Sequence, residues 1–343
     1  MKIAVLGDLH LSRSLPHRRT TIDGTNDRYA FRISLLQKAI EKYETAILLG
    51  DVTDTPDLID GRLMRDFVSV IGNKRRIVHV LGNHDRHDNT GDISMGEILS
   101  RCMDNYQCYS EVKTVSVDKV CFVFAPYYAV EGLIMDHVEA AAKKHNNVLV
   151  LGHWNFFDEV YGGKLFKESW LVAMAQAGVR FFLGHLHTPG DIIVEGRTIG
   201  SYLGAVSPVR FKEKQGRIMV VDTEKPSLSF ERYPMGEEFI EFRYGGDMPD
   251  FMYQGNENKY FKVYYDGKKY HREGLREQLE EDLSGYRSLI LVEESEEIDR
   301  HKEELRRNEE ETEESYLLSV AQEQGFKNHE LLIKTHQEIK GGQ

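Results

Sequence analysis

Arg76-Ile77-Val78-His79-Val80-Leu81-Gly82-Asn83-His84-Asp85 is the stretch whose reading decides the fold. A short run rich in Val and Ile, closed by glycine, is the pattern of a buried β-strand that stops in a tight turn. The same ending recurs four more times. Leu6-Gly7 leads into Asp8-Leu9-His10, and Leu49-Gly50 into Asp51. Leu151-Gly152 leads into His153, and Leu183-Gly184 into His185-Leu186-His187. Each glycine permits close backbone approach, and each following residue carries an oxygen or imidazole donor. In layered α/β folds, ligands collect beyond the carboxyl ends of the strands. Five strands therefore deliver polar tips to one edge. A single GNHD could be an ordinary turn, because Asn and Gly favour turns. Five such endings together point to a common site.

Outward from these endings, residues 1–234 alternate short apolar strands with amphipathic helical stretches, which predicts an α/β fold. The strands are KIAVL, AILL, RIVHVL, VCFVFA, NVLVL and VRFFL. Tyr29 to Tyr43 has helical spacing, with Phe31, Leu35, Ala39 and Ile40 on one face. DIIVE, GRIMVVD and SLSFERY read as antiparallel strands that finish a second sheet. The expected architecture is a two-sheet αββα sandwich.

From Glu238 the texture changes. Tyr260–Tyr265 reads as a strand, Arg272–Leu283 as a helix and Ser288–Val292 as a strand, giving a small β-α-β unit over 238–292. Residues 293–314 follow as an acidic linker with no apolar stripe. Over 315–340, Leu317, Leu318, Val320, Leu331, Leu332 and Ile333 restore helical spacing in a C-terminal helical segment.

The charge needs locating before it excludes anything. Glu293 to Glu314 holds 12 acidic and 4 basic side chains, a local net of −8 within the chain's −12. The remaining residues are close to balanced, so an anionic partner is neither favoured nor forbidden. Three cysteines, Cys102, Cys108 and Cys121, without metal-type spacing, fit a reducing cytoplasm and read as packing residues. No apolar run approaches the roughly 20 residues of a membrane span. The first apolar stretch is too short for a secretion signal and reads as a strand.

The donor set suggests a chemistry. Hydrolysing a phosphate ester at neutral pH needs a hydroxide nucleophile and neutralised phosphoryl oxygens, and two divalent cations about 3.5–4 Å apart supply both. Asp51, the central carboxylate, is the natural bridge between them. The donors are hard or borderline, with no thiolate, which suits Mn²⁺, Fe or Zn²⁺.

DLH, GDVTD, GNHD, GH and GHLH, in this order over about residues 1–190, resemble the signatures of calcineurin-like metallophosphoesterases. The resemblance implies that Asp8, His10, Asp51 and His187 hold one metal, and that Asp51, Asn83, His153 and His185 hold the other. It implies that His84 is a catalytic imidazole rather than a ligand, with Asp85 orienting it. The order of parts, with Gly204-Ala205-Val206-Ser207-Pro208 after GHLH, further resembles the nuclease subunit of SbcCD-type double-strand-break repair complexes. Its layout is similar to the recombination nuclease subunits of T-even-like phages. That implies a Mn²⁺-dependent 3′→5′ exonuclease on double-stranded DNA ends and an endonuclease on single strands. It also implies a homodimer, with helices around 58–72 and 92–104 at its interface, although these read equally well as ordinary surface helices, and an SMC-like coiled-coil ATPase docked on the C-terminal segment. A stand-alone metallophosphatase or cyclic-nucleotide phosphodiesterase is the alternative on the same metal site.

Arg13, His17, Arg86 and His87 adjoin the motifs and are candidate contacts to a DNA backbone. A solvated loop accounts equally well for Arg13 and His17. Trp154, beside His153, reads as a core residue rather than a base-stacking platform.

Overall fold

The computed structural model describes residues 1–12, 27–55, 61–72, 74, 76–86, 93–156, 166–209, 213–234, 236–246, 259–283 and 288–293. In chain order the elements begin with β1 (Lys2–Leu6), α1 (Asp27–Ile40), β2 (Thr45–Leu49), α2 (Gly61–Ile71), β3 (Arg76–Val80), α3 (Met95–Cys102) and β4 (Tyr106–Tyr109). Then come β5 (Lys113–Val117), β6 (Val120–Ala125), α4 (Glu131–Ala142), β7 (Val148–His153), α5 (Glu168–Gln176), β8 (Val179–Gly184), β9 (Gly190–Val194) and β10 (Arg197–Tyr202). β11 (Arg217–Asp222), β12 (Ser227–Arg232), β13 (Glu238–Arg243), β14 (Lys259–Tyr265), α6 (Arg272–Asp282) and β15 (Ser288–Glu293) complete the described elements.

Two six-stranded sheets form the sandwich. The first has the order β12-β11-β1-β2-β3-β4 and the second β5-β6-β7-β8-β10-β9. β1, β2 and β3 run parallel at the centre of the first sheet, and β7 and β8 run parallel at the centre of the second. All five glycine-ended strands are therefore central.

Side-chain alternation explains why these runs form a sandwich. Ile3, Val5, Ile47 and Leu49 point one way and meet Phe122, Phe124, Leu149 and Leu151 of the other sheet. Their neighbours Ala4, Leu6, Ala46 and Leu48 point the other way, onto Leu35 and Ala39 of α1 and Phe67 of α2. Val148, Val150, Phe181 and Leu183 likewise face Ile134 and Val138 of α4 and Leu171 of α5. Strands buried on both faces read as continuous apolar runs, and each fully buried aliphatic side chain contributes about 1.5–3 kcal/mol. α3 starts with a reciprocal cap, in which Ser94 Oγ accepts from Glu97 N–H and the Glu97 carboxylate accepts from Ser94 N–H.

The edges differ from expectation. β9, the DIIVE run, joins the second sheet, but β11 and β12 extend the first, with β11 antiparallel to β1. Local sequence marks a strand without saying which sheet edge it meets. Cys102 is exposed rather than packed, while Cys121 is buried; all three thiols are free.

The chain divides into two compact units, residues 1–241 with 254–261 and 285–289, and the remainder. β13, β14 and β15 form a small third sheet in that order, with α6 between β14 and β15 in the chain. Glu293, the first residue of the expected acidic linker, belongs to β15; the rest of that linker and the expected C-terminal helical segment lie outside the described residues. Among the described residues, no helix is long and apolar enough to cross a membrane.

Candidate metal centre

The loops after β1 and β2 keep pairing beyond the strands. Leu9 and His10 N–H both donate to the Asp51 carbonyl, at 3.0 and 2.8 Å, and Leu11 N–H donates to that of Val52. This carries His10 and Asp51 to the sheet edge in left-handed backbone, at φ of 45° and 48°, and His185 lies at φ 80°. Such conformations cost of order 1–3 kcal/mol for non-glycine residues and concentrate at functional sites. Gly50 (φ 79°) shows why glycine precedes the donor: a Cβ there would run into the His153 ring.

The donors converge as follows. Asp51 Oδ2 lies 3.6 Å from His10 Nε2 and 3.1 Å from His153 Nε2, so one carboxylate oxygen faces an imidazole from each sheet. Its Oδ1 accepts from the His84 N–H at 2.8 Å. Asp8 Oδ1 accepts from the His185 N–H at 2.8 Å and lies 3.7 Å from His153 Nε2. Asn83 Oδ1 lies 3.1 Å from His153 Nε2 and 3.0 Å from His185 Nδ1. His10 and His187 approach at 2.9 Å between their Nε2 atoms. All seven expected donors thus stand at one edge. Among the described residues, three groups lie within common reach of an ion: Asp8-His10-His187, Asp8-Asp51-His153 and His10-Asp51-His84.

Whether these residues fit cations can be judged from their hydrogen bonding. His10 Nδ1 faces Asp54 Oδ1 at 3.1 Å and His187 Nδ1 faces Glu213 Oε1 at 3.0 Å. A carboxylate partner holds the proton on Nδ1, which leaves two Nε2 lone pairs pointing at each other. Among the described residues, Asp8 Oδ2 is buried with no hydrogen-bond partner. His153 Nδ1 lies 2.6 Å from the Leu49 carbonyl, which turns its Nε2 lone pair toward the oxygens of Asp51 and Asn83. So many acceptors converging without donors fit a positive ion. Burial works against charge on Asp51, but the His153 ring overrides it, with His10 and His84 adding, and the carboxyl lies well below the usual carboxylate range. Burial alone would lower the His153 imidazole, yet Asp51 and then Asp8 push it up to about 9, so that without an ion a proton on Nε2 stands in for the positive charge these oxygens attract.

The chain matches the calcineurin-like phosphoesterase family over residues 1–221. It belongs to that family. Metal-dependent phosphoester hydrolysis is the chemistry this membership carries. No curated protein matches the chain. Similar solved structures include a putative 5′-nucleotidase from Staphylococcus aureus, 16% identical with TM-score 0.39, covering 67% of this chain and 52% of that one. GAP50, the anchor in the inner membrane complex of Plasmodium, is 14% identical with TM-score 0.42, covering 69% and 86%. A hypothetical protein from Thermus thermophilus is 13% identical with TM-score 0.37, covering 68% and 100%. This phosphoesterase spans about half the length of the nucleotidase.

One role differs from the expected one. Asp85 does not orient His84. Its Oδ1 accepts from Val52 and Thr53 N–H at 2.9 and 3.3 Å, and its Oδ2 from Gly82 N–H at 2.9 Å and from the buried His79 at 3.0 Å. Adjacent residues in a turn point apart, so sequence adjacency misled. His84 is held instead through Nδ1, 2.7 Å from the Asp54 carbonyl. Asp54 therefore fixes two imidazoles, His10 by its carboxylate and His84 by its backbone. The hydrogen bond to His10 is the main reason its carboxyl lies below the usual range. Trp154 is fully buried. Arg86 is partly buried, its carbonyl accepting from Tyr128 Oη at 3.0 Å. Arg13, His17 and His87 lie outside the described residues.

Sequence reasoning passed over Glu213, Tyr127 and two arginines. The half-buried Tyr127 ring stands 5.5 Å from that of His185. Arg28 and Arg32 are fully buried. Their signal was present: positions 28, 32, 35 and 39 make one helical face that continues into Leu35 and Ala39.

Proposed function

We propose that this phosphoesterase is a DNA nuclease subunit that hydrolyses phosphodiesters with two bound divalent cations, Mn²⁺ by preference. Asp8, His10, Asp51 and His187 would hold one ion, and Asp51, Asn83, His153 and His185 the other. The observation that carries the two-ion reading is Asp51 Oδ2 set between His10 and His153. When bound, such ions activate the attacking water and neutralise the phosphoryl oxygens.

The residues around them have separate tasks. His84, fixed through Nδ1 on the Asp54 carbonyl, presents Nε2 to the leaving oxygen and delivers a proton to it. Asp54 and Asp85 keep the loops in register. Arg86, next to Asp85 in the chain, and Tyr127, whose ring stands 5.5 Å from that of His185, would contact a nucleotide flanking the scissile bond.

The choice of DNA over a small ester is supported by the stretch that carries the narrower resemblance. Ala205 N–H donates to the His187 carbonyl at 2.8 Å and Val206 N–H to that of Asp8 at 2.9 Å. The Gly-Ser-Pro stretch is thus bonded to two ligand residues. The β-α-β unit after residue 238 adds support, since a phosphatase of small esters has no evident use for it. The same reading includes 3′→5′ exonuclease action on duplex ends, endonuclease action on single strands, a homodimer, a cytoplasmic setting and an SMC-like ATPase partner.

Linear duplex DNA labelled separately at each end, incubated with the purified chain and Mn²⁺ or Mg²⁺, tests this. Stepwise Mn²⁺-dependent shortening from the 3′ ends is the expected result. Intact DNA alongside rapid hydrolysis of an aryl phosphodiester would identify a stand-alone phosphatase or cyclic-nucleotide phosphodiesterase instead.

A further inference from the structure

Arg32 sits with its guanidinium wholly buried. Nη1 donates to the carbonyls of Leu9 and His10, at 3.1 and 2.7 Å, and Nη2 donates to that of Pro208 at 3.2 Å. Arg28 donates to the same Pro208 carbonyl at 2.9 Å. A guanidinium has a rigid fork of donors, so Arg32 fixes the distance between the His10 backbone and the Ser207-Pro208-Val209 turn. Burial and neighbouring Arg28 lower its pKa to about 10, leaving it charged at neutral pH.

The turn is held from its other side by Glu213. Oε2 accepts from Val209 N–H at 2.7 Å, and Oε1 lies 3.0 Å from His187 Nδ1. Glu237 closes the arrangement, accepting from Ser207 Oγ and from Tyr260 Oη, the latter at 2.6 Å, with Arg28 Nε 3.7 Å away. His10 and His187 come from different sheets and sit in loops. The connection runs from the His10 carbonyl through Arg32, the turn and Glu213 to the His187 ring.

We infer that Arg32 and Glu213 are positioning residues that fasten His10 and His187 to one another through the Ser207–Val209 turn, and so set the affinity of the Asp8-His10-His187 group for its cation. The inference rests on reading that cluster as one of two cation sites, and is independent of whether DNA is the substrate. Glu213 fixes the His187 tautomer and ring plane and makes Nε2 a better donor. Arg32 holds His10 in its left-handed backbone. Because neither touches the Asn83-His153-His185 group in the described contacts, the effect falls on one ion.

Mn²⁺ titration of the full chain by calorimetry, without DNA, reads this directly, with thermal melting run beside it in chelator. Glu213→Ala is expected to leave one Mn²⁺ bound as in the wild type and to weaken the other about 10–100-fold. Glu213→Gln, whose amide oxygen still accepts from His187, should recover most of that loss. Arg32→Lys should weaken the same ion. Should Arg32→Lys fail to fold, the partly exposed loop position of Glu213 keeps the test available. Wild-type affinity for both ions in Glu213→Ala would overturn the inference, as would equal weakening of both ions tracking a lower melting temperature. A wild-type chain that binds no Mn²⁺ would overturn the inference along with the cation reading beneath it.

Discussion

The two sheets furnish the centre by different means. After β1, β2 and β3, the ligand loops are tied together at the backbone. Leu9, His10 and Leu11 donate N–H groups to the carbonyls of Asp51 and Val52, and Asp85 accepts three N–H groups from the loops after β2 and β3. After β8, the two histidine rings are held at their side chains, His185 by Asn83 and His187 by Glu213. Backbone ties are shared by several bonds and survive the loss of one. A ring oriented mainly by one side-chain hydrogen bond turns more readily when that partner goes. The first sheet therefore supplies a rigid seat, and the second supplies adjustable imidazoles.

Asp51→Asn is the most severe way to break this comparison, because Asp51 belongs to the rigid seat yet faces both sheets. Mn²⁺ affinity at both sites should fall by more than about 100-fold, beyond the 10–100-fold typical of losing a ligand's supporting partner. Calorimetric titration checks it. Two ions bound at wild-type strength would mean that Asp51 bridges nothing. His84→Ser comes next and sharpens the contrast between holding an ion and moving a proton. Two Mn²⁺ ions should still bind, while turnover of an aryl phosphodiester falls roughly 10²–10⁴-fold, the usual worth of a positioned acid. Loss of an ion together with activity would instead place His84 among the ligands, in the His10-Asp51-His84 group.

How much of this was legible in the sequence follows the same division. The rigid seat was, because apolar run, glycine and donor are contiguous in the chain and the fold only has to stack them. The partners of the adjustable rings were not. Glu213 lies 26 residues from His187, and only the turn at Ser207–Val209 brings it back. Asp54 was in plain view as the last residue of GDVTD, but its double hold on His10 and His84 is a property of the folded loop. Among the strands, β4 is too short to show a period, and in β10 Gly200 interrupts the pattern because its backbone lies against Phe181. β11 and β12 were recognised as strands and assigned to the wrong sheet, since an edge position is decided by the sheet already formed. Arg28 and Arg32 break the rule that charges face water, and a sequence reading that trusts the rule discards them.

The smallest expected effect lies beneath the rigid seat, in the His79–Asp85 pair. His79 Nε2 faces Asp85 at 3.0 Å and Nδ1 faces Tyr106 Oη at 2.9 Å, all within the core. Burial opposes charge on His79, but Asp85, with Cys108 adding, raises the imidazole to about 10. A folded-state value above the unfolded 6.5 means that the pair's stabilisation is complete below about pH 6.5 and is lost as pH rises toward 10. The loss should be modest, because neutral His79 can still donate to Asp85 and accept from Tyr106 Oη; only the Coulomb attraction disappears. Melting temperatures of the chelator-treated wild type and His79→Gln, taken from about pH 6.5 to 10, should converge as pH rises. Curves that stay parallel would show that His79 is already neutral at about pH 7, and that the seat is held by the Asp85 backbone bonds alone.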